Sequence, residues 1–379
     1  MQDSKPSKLR RELVRPARQL GKFLHRTTSR VYSPYLYDLT QRLKVRVSTG
    51  SIGMRDHVAI YVMAPFDGVW PSHLAALEYL ENAGASPVVV SNLALSPEER
   101  TRISDRASVV IERPNQGYDF GAYREGVLYL GARLEGLSRL SLFNDSVWFP
   151  VPAASNWFEA VENEGTEITG AASNFGASRT VPRELVAETW KYGSAGAGFH
   201  FPSFALSFSA SALRTPAFRR FWSRYPLVNS KELTILRGEI GLSQWALAQG
   251  FSASSTYPVV NMDKLLEPLS TPRLREIAEN LIVLGNPKFL ALKHRTLQEP
   301  TNRNTLLALL LAATRCLGVS YAFADFNLAE MKFPFLKKSP VWHQNEASEI
   351  TMRLLEKHGF SPDTRDEAEF LRRTRLIAT

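Results

Sequence analysis

Three short stretches of this chain carry side chains fit for chemistry, and two of them directly follow apolar runs. The segment 113–124 reads RPNQGYDFGAYR. Asn115, Gly117 and Gly121 allow a tight backbone turn ahead of a predicted helix, and such a loop offers N–H groups and a positive dipole end to an anion. Asp119 would repel a phosphate, so it reads either as an acceptor for a ribose or base or as a plain helix cap. Arg124 can pair with Asp119 or with a diphosphate. The segment 143–150 reads FNDSVWFP. A carboxylate at the end of an apolar strand is costly without a partner, and Mg²⁺ or Mn²⁺ carrying two phosphates would supply one. Asn144, Asp145 and Ser146 offer the oxygens, with Asp145 as the metal ligand; the alternative is a turn aspartate satisfied by backbone amides. The segment 238–244 reads GEIGLSQ. Its Glu239, at the first turn of a predicted helix, is either a general base or a glutamate placed there by the helix dipole.

The elements that must position these residues alternate. Short β-branched runs at 57–64, 87–91, 107–111 and 140–143 predict strands. Helical patterns at 71–83 (with Ser72 as a candidate cap), 96–104 and 118–134 (stopped by Gly136) fall between them. That alternation implies a parallel sheet with crossover helices, whose ligands bind beyond the carboxyl ends of the strands. Further strands are expected at 167–172 and 204–209. Helices are expected at 182–190, 217–223, 238–250, 272–284, 305–317 and 347–358. The reading divides the chain into a basic leader (1–50), an α/β domain (51–265) and a mainly helical C-terminal region (266–379).

The bulk numbers narrow the class. A chain of 379 residues with 44% hydrophobic content can bury a large core. Its single cysteine, Cys316, excludes an intramolecular disulfide and a thiolate metal cluster, and its apolar neighbours mark it as a buried hydrophobe. The stretch 306–317 is too short to span a bilayer. The first residues, MQDSKPSKLRREL, lack the apolar region of a signal peptide, so a cytoplasmic location is expected. The net charge of +9 favours anionic partners and is densest in the leader. There Leu9, Leu13, Ala17, Leu20 and Leu24 form one apolar helical face among cations, read either as a helix on an anionic membrane surface or as one docked on the protein body. Neither zinc-finger spacing nor a ribonucleoprotein aromatic motif supports specific nucleic-acid binding.

The order of strand, Asn-x-Gly loop, helix, strand, acidic turn and late carboxylate resembles the GT-A glycosyltransferase fold, with Asn144-Asp145-Ser146 in place of Asp-x-Asp. More specifically, the chain resembles the rhamnan synthesis protein F family of bacterial polysaccharide biosynthesis. The segments that carry the likeness are NQGYDFG from Asn115, NDSV from Asn144, HFPSFALSF from His200, FRRFW from Phe218, GEIGL from Gly238 and PFLK from Pro334. The resemblance implies a GT-A-like sheet and transfer of a sugar, rhamnose among the candidates, from a nucleoside-diphosphate donor to a saccharide or lipid-linked saccharide. It implies Glu239 as the base of an inverting reaction, His200 as a phosphate or acceptor contact, and Lys337 as a cation for the leaving diphosphate. The competing class is a saccharide-binding or scaffold protein that keeps the fold without the chemistry.

Overall fold

The structure is a computed structural model and describes residues 32–174, 180–185, 190–191, 193–194, 196–298 and 302–374. Its strands are β1 (Arg46–Thr49), β2 (His57–Met63), β3 (Ser86–Ser91), β4 (Val109–Glu112), β5 (Arg139–Asn144), β6 (Val147–Trp148), β7 (Ile168–Gly170), β8 (Ala205–Ser209), β9 (Ala253–Ser255) and β10 (Leu336–Lys337). Eight of them form one sheet in the order β1-β4-β3-β2-β5-β8-β7-β9, while β10 pairs with β6 in a separate ribbon. Six strands of the large sheet share one direction. The two exceptions are β1, antiparallel to β4, and β8, antiparallel to both β5 and β7. This is the mostly parallel, helix-flanked α/β sheet that the sequence implies, with β1 added at one edge.

The longer helices are α1 (Pro71–Asn82), α2 (Pro97–Ser104), α3 (Tyr118–Leu130), α4 (Trp157–Glu164), α5 (Pro216–Ser223), α6 (Ile240–Ala248), α7 (Thr271–Glu279), α8 (Pro287–Gln298), α9 (Arg303–Leu317), α10 (Glu346–Lys357) and α11 (Pro362–Thr374). Strand β2 shows why the strands read as unbroken apolar runs. Ala59, Tyr61 and Met63 enter one core with residues of α1, α7 and α9, whereas Val58, Ile60 and Val62 enter the other with residues of α3 and α5. A strand covered on both faces has no polar side to alternate with. The first core runs without a break from Ala59 to Phe335, so sheet and C-terminal helices share it across residue 266. Cys316 is buried in it.

Several expectations change. Helix α1 is capped by Trp70 with Pro71 at its first position; Ser72 lies inside it. Helix α3 ends at Gly131, whose φ of 51° breaks the helix, and residues up to Gly136 follow as a 3₁₀ segment. Within the helix expected at 182–190, residues 182–185 are not helical, and 186–189 lie outside the described residues. Residues 1–31 of the leader also lie outside them. Its remainder docks on the body: residues 32–40 are helical, Tyr37 is buried, and β1 extends the sheet. No helix among the described residues is long and apolar enough to cross a membrane.

Candidate active site

The site forms where β5 ends between β2 and β8. Its acidic turn is locally built: Asn144 Oδ1 accepts bonds from the amide of Ser146 (3.2 Å) and from its hydroxyl (2.6 Å). The turn sends successive side chains to opposite sides. Asp145 Oδ2 accepts the Ala64 amide at 2.8 Å and faces His73 Nε2 at 3.8 Å. The Trp70 amide donates to His73 Nδ1 at 3.1 Å, which leaves the neutral ring's proton on Nε2, toward Asp145. Together with Gly68, Trp70, Ser146 and Lys338, these residues line a pocket beyond the β2 and β5 ends.

Strand β10 brings the cations. It pairs antiparallel with β6, Lys337 opposite Val147, so a segment nearly two hundred residues away in sequence lies against the acidic turn. The Lys337 ammonium sits 4.2 Å from the Phe204 ring centroid and donates to Ser146 Oγ at 3.3 Å. The Lys338 ammonium bonds Glu367 Oε1 at 2.7 Å and Ser72 Oγ at 3.1 Å, while Glu367 Oε2 accepts from Trp148 Nε1 at 3.2 Å. Both lysines are buried, and burial of an ammonium demands such partners.

On the other side of the turn stand two carboxylates joined by a hydroxyl. Ser203 Oγ lies 2.6 Å from Asp119 Oδ2 and 2.8 Å from Glu239 Oε1, and the Ser203 amide donates to the same Glu239 oxygen at 3.0 Å. A hydroxyl has one hydrogen, so Ser203 donates to only one of the two carboxylates at a time; Asp119 Oδ2 also accepts from Asn144 Nδ2 at 3.2 Å. Burial pushes the Asp119 carboxyl up to about 6. The negative charge of Glu239 adds to this, while the bonds from Ser203 and the Phe120 amide and the charge of Lys337 oppose it. Burial thus favours the protonated form of Asp119. Glu239 is more open, with its side chain 20% exposed and its Oε2 3.9 Å from His200 Nε2. His200 Nδ1 lies 2.9 Å from the Gly198 carbonyl, which fixes the ring.

Glu239 does not open a helix. It ends a π-helical turn, Ile235–Glu239, inside a helical run that begins at Lys231 and continues into α6, so the helix dipole does not explain its position. Gly238 is there for packing: a Cβ would stand 2.3 Å from Phe120 Cδ2. π-Turns of this kind concentrate at functional positions.

The loop after β4 differs from the anion cradle expected of it. The Gly117 amide is donated to Asn229 Oδ1 at 3.0 Å, that of Gly121 to the Gly117 carbonyl at 2.8 Å, and that of Phe120 to Asp119 Oδ1 at 3.0 Å. Gly121 is a close-packing residue, since a Cβ would meet the Gln116 carbonyl oxygen at 2.2 Å. Asn115 is exposed on the loop. Arg124 contacts neither Asp119 nor the site. It is 2% exposed and forks onto Asp38 at 2.9 and 2.8 Å, with further bonds to the carbonyls of Trp222 and Ser223. Of the residues picked from the sequence, Asp119, Asn144, Asp145, Ser146, His200, Glu239 and Lys337 gather at the β5 end. Ser203, His73, Lys338 and Glu367 were missed. Ser203 lies in the quoted HFPSF segment but is uncharged, and Glu367 carries no local signal at all.

A divalent cation held here would take most of its oxygens from a bound diphosphate. Asp145 offers one carboxylate, and among the described residues no three His, Cys, Asp or Glu side chains group as metal ligands do.

Comparison with known proteins gives the following likenesses. A relative from Sinorhizobium fredii (strain NBRC 101917 / NGR234), described as uncharacterized protein y4gN, is 26% identical over 246 residues, which cover 65% of this chain and 60% of the relative. The chain thus spans about 60% of the length of the curated relative it matches. Among solved structures, core-mannan synthase A (CmsA/Ktr4) from Aspergillus fumigatus in its Mn/GDP form is 10% identical with a TM-score of 0.29, over 46% of this chain and 65% of that one. The mannosyltransferase PcManGT from Pyrobaculum calidifontis, in complex with GDP-Man and Mn²⁺, is 10% identical with a TM-score of 0.28, over 92% and 95%. Likenesses of that size carry no argument about this chain. The family model for rhamnan synthesis protein F matches residues 87–315, a span that holds α3, the acidic turn, Ser203 and Glu239, and the chain belongs to that family.

Proposed function

We propose that the chain is an inverting glycosyltransferase that moves a sugar from a nucleoside-diphosphate donor to a saccharide or lipid-linked saccharide, with rhamnose the first sugar to test. The observation that carries this reading is the convergence at one strand end of two buried lysines and two carboxylates bridged by Ser203. Breaking the anomeric C–O bond leaves negative charge on the departing diphosphate, which fixed cations stabilise. Lys337 beside Ser146 supplies that charge, while Lys338 beyond it is paired with Glu367. The acceptor hydroxyl bonds to the anomeric carbon as it loses its proton. Glu239 takes that proton: Ser203 holds its Oε1, and its Oε2 lies 3.9 Å from His200 Nε2 on a side chain 20% exposed. Asp119, beneath the same hydroxyl, keeps Ser203 oriented. Bond formation on one face as the other breaks gives inversion. An anionic lipid surface, where a lipid-linked acceptor would lie, belongs to the same proposal.

A saccharide-binding or scaffold role is the second reading, favoured by the single carboxylate of the Asn144-Asp145-Ser146 turn. Calorimetric titration with a panel of nucleotide sugars, with and without Mg²⁺ or Mn²⁺, separates these readings from an unrelated function. The wild-type protein binds one donor, and Asp145→Ala, which disconnects the turn from Ala64, weakens it about tenfold or more. Absence of donor binding by the folded protein contradicts the nucleotide-sugar site.

A further inference from the structure

Twelve large hydrophobic side chains are exposed among the described residues, and six of them fall between Tyr32 and Val47. They are Tyr32, Tyr35, Leu36, Leu39, Leu43 and Val47, with Leu39 76% and Leu43 88% exposed. The spacing of the first four places them on one face of the helix at 32–40. The opposite face is anchored. The Tyr37 hydroxyl donates to Glu125 at 3.0 Å and accepts from Arg113 at 3.1 Å, and Asp38 takes the Arg124 fork. The exposed face is therefore a held surface rather than a frayed end.

Its charge selects the occupant. Arg42, Lys44 and Arg46 are all exposed beside it, and the one acid between residues 32 and 50, Asp38, is committed to Arg124. A second copy docked across a two-fold axis would bring these cations against their own copies. The segment 1–31 carries the same sign, with nine lysines and arginines against two acids, so charge opposes its folding onto this face. An anionic lipid surface matches both the apolar stripe and the cations.

We propose that this face lies on an anionic membrane surface, with Tyr35, Leu36, Leu39 and Leu43 entering the headgroup layer and Arg42, Lys44 and Arg46 meeting lipid phosphates. The helix bonds through Tyr37 and Arg113 to the loop that leads into α3 and Asp119, so docking sets the site's neighbourhood at the lipid boundary. The proposal gives the membrane part of the functional reading a surface and does not depend on the donor chemistry.

The test is cosedimentation of the full chain with vesicles of phosphatidylcholine alone or with about one third phosphatidylglycerol. The wild-type protein binds the anionic vesicles, and binding weakens as salt is raised. Leu39→Glu with Leu43→Glu, or both to Ser, lowers partitioning about tenfold or more; Arg42→Glu with Lys44→Glu does the same. The leucine double variants keep the wild-type melting temperature and donor affinity, so failure of the lipid face and failure of the nucleotide-sugar reading appear in different measurements. Unchanged vesicle binding by the Leu39/Leu43 variants overturns the proposal. So does a switch from dimer to monomer in those variants with vesicle binding intact, which would assign the face to a second copy.

Discussion

Ser203 holds the two carboxylates of the site with one hydroxyl, and that has a measurable consequence. Asp119 titrates at about 6 in the folded chain against an ordinary 3.8. Between those values the folded state holds a proton that the unfolded state has lost, so this residue's contribution to stability falls as pH rises from about 4 to about 6. Asp119→Asn removes the titration. The melting temperature of that variant minus that of the wild type therefore grows with pH across this window and levels off above it. Melts between pH 4 and 8 check the sign, and a difference independent of pH contradicts the account of the pair. The sequence marked Asp119 and Glu239 because charge is visible in it. It did not mark Ser203, whose importance comes only from lying between them.

At the scale of elements, much was legible and the errors are instructive. The strands β2, β3, β4 and β5 stand out because both faces of each are covered, which demands continuous apolar residues. The direction of β8 was not legible: its antiparallel pairing with β5 is a property of tertiary contacts, and a strand's composition carries no arrow. Strand β1 hid within the basic leader because an edge strand with exposed Arg46 and Val47 shows no buried run. Arg124 was misassigned although the helix period argues against it. Five residues along a helix turn through about 140°, which points Arg124 away from the face that carries Asp119. It belongs instead to the contact that pins helix 32–40 and the end of α5. Arg124→Leu leaves Asp38 and two carbonyls without their donor, which costs about 3 kcal/mol or more. Thermal or denaturant unfolding should show that loss, while donor affinity per folded molecule stays at the wild-type value. Lost affinity with unchanged stability would return Arg124 to the binding site. The helix expected to open at Gly238 instead runs on from Lys231, and Gly238 is the gap that admits Phe120.

At the scale of the molecule, the site is assembled from distant parts of the chain. Strand β10 carries Lys337 and Lys338 to the acidic turn, and α11 supplies Glu367 to neutralise Lys338. The C-terminal region therefore completes the pocket that the sheet begins, which no local pattern in the sequence could announce. The central claim is that this assembly performs glycosyl transfer with Glu239 as the base. The measurement that tests it most directly is donor consumption and acceptor glycosylation by the wild-type chain and by Glu239→Gln, with donor affinity measured in parallel. The account predicts unchanged donor binding and a rate reduced about 10²-fold or more in the variant. Transfer at the wild-type rate by Glu239→Gln, or a folded wild-type protein that neither binds nor consumes any nucleotide sugar, would contradict it.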